Sequence, residues 1–116
     1  AARDIAGLLR SIDYSTTAAL ERALRIAPDE HGRIAAALRS WRERAVATFL
    51  AAYREHMSDH RLWPAEERAA NHLLDVFLLE KAFYEIEYEI AYRPDWVRMP
   101  LAGALRILSR TGEETA

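Results

Sequence analysis

The stretch Leu73-Leu74-Asp75-Val76-Phe77-Leu78-Leu79-Glu80-Lys81-Ala82-Phe83-Tyr84-Glu85-Ile86-Glu87-Tyr88-Glu89-Ile90-Ala91-Tyr92 holds neither Pro nor Gly. It is apolar on more than one face, the pattern of a helix near the centre of a helical assembly. Stepping about 100° per residue groups Asp75, Lys81, Glu85 and Glu89 on one side. Glu80 and Glu87 then fall with Leu73, Val76, Phe77 and Tyr84, which reads as the core side. Two carboxylates turned toward a core require Arg, Tyr, Trp or backbone donors, or a wet cleft, because burying an unpaired carboxylate costs several kcal/mol. They either form the polar wall of a site or pair with Arg10, Arg93 or Arg98. Tyr84, Tyr88 and Tyr92 recur at every fourth position and Trp96 follows, an aromatic ladder that either packs in the core or offers flat faces to sugar rings.

This helix is expected over about 65–92, entered through Pro64-Ala65-Glu66-Glu67 and ended by Arg93-Pro94-Asp95-Trp96. Pro100 can open a last short helix bearing Leu101, Ala104, Leu105 and Leu108, before Gly112 and a polar tail. Upstream, about 4–24 places Ile5, Leu8, Leu9, Ile12, Ala19, Leu20 and Ala23 on one stripe with Asp4 as N-cap, and points Arg10, Asp13 and Tyr14 elsewhere. After Ala27-Pro28-Asp29, a helix over about 30–57 aligns Ile34, Leu38, Trp41, Ala45, Phe49 and Ala52 opposite Arg39, Arg42, Glu43 and Arg54. No stretch shows sustained strand alternation. The expected class is all-α with about four helices, in one domain over 1–116.

Composition narrows the function classes. A formal net charge of -2, from 16 basic and 18 acidic residues without a long block of one sign, argues against nucleic acid. Apolar runs are broken well short of the roughly 20 residues that a membrane span needs, and the chain opens on Arg3 and Asp4 rather than a basic-then-apolar leader, so a soluble, cytoplasmic protein is expected. Cysteine is absent, which excludes disulfides, thiolate metal sites and a thiol nucleophile. His56 and His60 have the i, i+4 spacing of a metal pair, with Asp59 between them and His72 beyond, but Ser58, Asp59 and Pro64 read as a solvated loop. Four scattered glycines form no phosphate-cradling loop, and no Ser stands in a nucleophile elbow. No catalytic residue and no metal ligand is assigned.

The runs Leu79-Glu80-Lys81-Ala82-Phe83-Tyr84-Glu85-Ile86-Glu87-Tyr88-Glu89-Ile90 and Arg93-Pro94-Asp95-Trp96-Val97-Arg98-Met99-Pro100-Leu101 resemble the terminal signature of maltokinases. The opening Arg3-Asp4-Ile5-Ala6-Gly7-Leu8-Leu9-Arg10-Ser11-Ile12-Asp13-Tyr14 is similar to the segment that follows the metal-binding loop in that family. The two matches bracket nearly the whole chain. Where the family pattern often has Asn, this sequence has Tyr92. The resemblance implies a C-terminal helical subdomain of a kinase-like C-lobe, part of an enzyme that moves the ATP γ-phosphate to the anomeric hydroxyl of maltose and feeds α-glucan (glycogen) synthesis, often fused to trehalose synthase. It implies a sugar-binding wall on Glu80, Tyr84, Glu87 and Tyr88, and places Asp4 as a brace of the catalytic loop that does not touch substrate. ATP and Mg²⁺ would be held by the remainder of the kinase domain, with no cofactor on this chain, so phosphoryl transfer by the 116 residues alone is not expected. The alternative is a free-standing helical interaction module without catalytic activity.

Overall fold

The computed structural model describes residues 1–115, with side chains placed through Glu113. Among the described residues there are four α-helices and no strand, so the chain is all-α. The helices are α1 (Ala2–Ile26), α2 (His31–Met57), α3 (Glu67–Tyr92) and α4 (Arg98–Thr115), with single 3-10 turns at Pro28–Glu30 and Pro94–Trp96. None of them is long and apolar enough to cross a membrane.

The chain divides into two compact units: residues 1–10 with 64–116, and residues 11–63. In the first unit α3 packs against α4, and the start of α1 is tied to both through Arg10, which bonds Glu85 and lies against Gly103. The buried apolar residues are Ile5, Ala6, Leu9, Ala70, Leu74, Leu78, Ala82, Met99, Ala104 and Ile107. Small residues recur on these buried faces, which lets helix backbones approach closely. Pro100, expected to open α4, lies inside its first turn, where a missing amide hydrogen breaks no bond, and is fully buried. The helix continues through Gly112, where a polar tail is expected from sequence. Asp4 lies in the first turn of α1 rather than at its N-cap, where its charge still suits the helix dipole. Glu66, in extended conformation, precedes α3, so Pro64 and Ala65 stand outside the helix.

In the second unit no residue of α2 is fully buried. Trp41, expected on its apolar stripe, is exposed. The best-buried side chain is Trp63, whose ring meets that of Tyr53 edge-on at 5.2 Å, with Phe49 6.0 Å from Tyr53. Arg42 and Asp13, both assigned to outward faces by periodicity, are mostly buried and lie 3.6 Å apart. Each supplies the charge that makes the other's burial tolerable.

Candidate functional site: the outer face of α3

The two faces of α3 are the reverse of the sequence expectation. Asp75, Glu85 and Glu89 are buried, whereas Glu80, Tyr84, Glu87 and Tyr88 are exposed, as are Leu73 and Val76. Each buried carboxylate has an arginine from a different place in the unit. Arg10 of α1 donates from Nε and Nη2 to Glu85 Oε2 at 2.9 and 2.8 Å, and its Nη2 also lies 3.5 Å from Met99 Sδ. Arg110 of α4 pairs with Asp75. Arg93, just past the end of α3, grips Glu89 with two bonds, Nε to Oε2 at 3.0 Å and Nη2 to Oε1 at 2.6 Å. Charge-assisted bonds of this kind are what allow carboxylates inside. Arg10 and Arg93 are two of the partners anticipated from sequence, but they serve Glu85 and Glu89 instead of Glu80 and Glu87. Arg10 itself, read as pointing away from the core, is 2% exposed.

This reversal leaves Glu80, Tyr84, Glu87 and Tyr88 on a single arc of α3, since positions i, i+4, i+7 and i+8 fall within about a quarter to a third of the helix circumference. Cations border the arc. Arg3 Nη2 is 3.2 Å from Glu80 Oε1, and its guanidinium lies 5.2 Å from the Phe77 ring. Lys81 Nζ stands 4.8 Å from the centre of the Tyr84 ring. Tyr88 leans on Tyr92, ring centres 4.8 Å apart at 40°. The Arg93 guanidinium lies 5.9 Å from the Tyr88 ring and 4.9 Å from that of Trp96, joining the last ladder members into one surface.

The arc therefore offers carboxylate acceptors, aromatic rings and flanking cationic donors. That combination suits a neutral, hydroxyl-rich ligand. Lys81, which helical stepping sets on the side of Glu85 and Glu89, reaches the edge of the arc because i and i+3 side chains are neighbours on a helix. Arg93, expected as a carboxylate partner, borders the arc through the Tyr88 and Trp96 rings. Asp4 is exposed near the start of α1, and no substrate contact is assigned to it. His56 Nδ1 hydrogen-bonds the Ala52 carbonyl at 2.8 Å, within its own helix, and His60 follows the end of α2. Among the described residues no group of three or more His, Cys, Asp or Glu side chains is placed to hold a metal ion. No protein-family model matches the chain, and no solved structure matches it.

Proposed function

We propose that this chain is the acceptor-side C-terminal helical part of a maltokinase, presenting maltose on the outer face of α3 to a phosphotransfer lobe that carries ATP and Mg²⁺. The observation that carries this reading is the shared exposure of Glu80, Tyr84, Glu87 and Tyr88 on one helical arc, within a segment that resembles the maltokinase terminus. Maltose is uncharged and covered in hydroxyls, and its rings have apolar faces. Its recognition calls for ionised acceptors beside aromatic platforms, and the arc supplies both. The partner in this reading is the remainder of the kinase domain, in the cytoplasm, with no role for nucleic acid or membrane. Asp4 acts as a positioning residue for the catalytic loop of the complete enzyme. The chain alone transfers no phosphate, because nothing in it aligns a nucleotide with an acceptor.

Titration of the ¹⁵N-labelled chain with maltose tests the reading. Saturable shifts concentrated on residues 80–88, absent with trehalose, are the expected result. Shifts scattered over both units, or none at millimolar maltose, would refute the assignment.

A second reading, a helical interaction module without catalytic activity, draws on the apolar side chains that the first unit leaves exposed. Val76, Phe83 and Ile90 on α3, and Leu101, Leu105 and Leu108 on α4, form stripes of the kind that helix partners cover. It requires that maltose leave α3 unmoved and that Leu105→Glu abolish association with a helical partner.

A further inference from the structure

The aromatic surface on α3 continues beyond the four residues of the acceptor site. From Glu80 to Tyr92 the arc advances 12 residues, about 18 Å along the helix at about 1.5 Å per residue, which is more than the two rings of a disaccharide cover. Tyr92 is 71% exposed, and through Tyr88 and the Arg93 guanidinium its ring is continuous with Trp96. Arg93 is pinned to the buried Glu89 carboxylate by two bonds, so this end of the platform is held by the core rather than left as loose surface side chains. Core packing does not account for Tyr92, since most of its ring surface faces solvent. Its apolar face and phenolic tip suit a ligand that is itself apolar on one side and polar at its rim.

We infer that this surface takes linear α-1,4-glucans longer than maltose, with further glucose units running past Tyr88 over Tyr92 and Trp96. The inference rests on the acceptor-site reading and extends it from a disaccharide to an oligosaccharide. Successive ladder tyrosines are about 6 Å apart along the helix, comparable to the advance of one hexose unit, so each added unit finds a new aromatic contact until the ladder ends. The Arg93 guanidinium faces both Tyr88 and Trp96 and so bridges the two rings along the platform.

Calorimetric or NMR titration of the full 116-residue chain with maltose, maltohexaose and cellotetraose tests this. Maltohexaose should bind about tenfold more tightly than maltose, a gain of about 1.4 kcal/mol. Tyr92→Ala should bring maltohexaose down to the affinity of maltose and leave maltose itself unchanged, while Tyr92→Phe, which keeps the flat ring, should retain the gain. Thermal melts of both variants should match the parent chain, because Tyr92 is exposed. Equal affinities for maltose and maltohexaose would overturn the inference and leave the acceptor reading standing. Cellotetraose binding as well as maltohexaose would overturn the assignment to α-1,4-glucans. Failure of every sugar to bind would remove the acceptor reading and this inference together.

Discussion

The Arg10 guanidinium fills the space into which a side chain at Gly103 would grow: a Cβ placed there would lie 2.9 Å from Arg10 Cζ and closer still to Nη1. Arg10 cannot swing aside without leaving Glu85, which is itself buried. Two effects of opposite sign therefore meet in Gly103→Ala. Removing a glycine from a helix ordinarily gains up to about 1 kcal/mol, whereas overpacking a filled site costs about 1–3 kcal/mol. The pinned arginine makes the cost the larger, so Gly103→Ala should lower stability. At Gly7, inside α1, a methyl group would meet nothing within 4 Å, so Gly7→Ala should raise stability by about 0.5–1 kcal/mol. Urea unfolding of the two variants should move the midpoint in opposite directions; a shift of the same sign in both would contradict the interlock.

The Arg10 and Glu85 pair makes a second prediction. Removing one member of a buried ion pair leaves the other charge in low dielectric and costs about 3–5 kcal/mol, a large share of the roughly 5–15 kcal/mol that holds a domain folded. Arg10→Met and Glu85→Leu should each be severely destabilising. The double variant Arg10→Met/Glu85→Leu removes both charges and should recover most of the loss. Thermal denaturation of the four forms measures the coupling, and strictly additive losses would show that the pair is not a unit.

The same pair shows where sequence reading stops. Helix positions are legible from the Pro punctuation at 28, 64 and 94 and from 3.6-residue spacing, and the all-α class follows from them, whereas the four glycines mark no boundary because all of them lie within helices. The inside of α3 is not legible in this way, because both of its sides mix apolar residues with carboxylates. Which side is buried depends on Arg10, Arg93 and Arg110, which come from different places along the chain. A residue's own helix cannot reveal a partner 75 positions away. One cue is present: Ala70, Leu74, Leu78 and Ala82 repeat at every fourth position on the buried side, with small residues where backbones approach closely. The candidate site survives the reversal as a set because Glu80, Tyr84, Glu87 and Tyr88 share an arc whichever way the helix is turned.

The third prediction concerns nucleotide. Phosphate binding draws on clustered backbone amides in a glycine-rich loop and on a metal held by carboxylates, and the glycines here, at 7, 32, 103 and 112, all lie within helices. The chain should give no stoichiometric heat on calorimetric titration with MgATP. Micromolar, Mg²⁺-dependent binding would remove the reading of this chain as the acceptor side alone.

The last prediction separates recognition from scaffold at Glu87. Had this carboxylate been turned into the core beside an arginine, Glu87→Gln would cost stability and leave sugar affinity untouched. It is exposed, and a surface substitution of this kind ordinarily changes stability by no more than about 0.5 kcal/mol. Glu87→Gln should therefore melt with the parent chain. The amide keeps the size of the side chain and one acceptor oxygen, but loses the charge that strengthens a bond to a sugar hydroxyl. A hydrogen bond to a charged group is worth about 1.5–3 kcal/mol, and solvent exposure puts Glu87 at the lower end, so maltose affinity should fall about tenfold. Glu80→Gln should behave differently in one respect. Its carboxylate already holds Arg3, and loss of that exposed pair costs at most about 1 kcal/mol, so a small drop in melting temperature should accompany any loss of affinity. Parallel maltose titrations and melting curves of the two variants measure both quantities. A Glu87→Gln chain that melts early and binds maltose normally would return α3 to the role of scaffold.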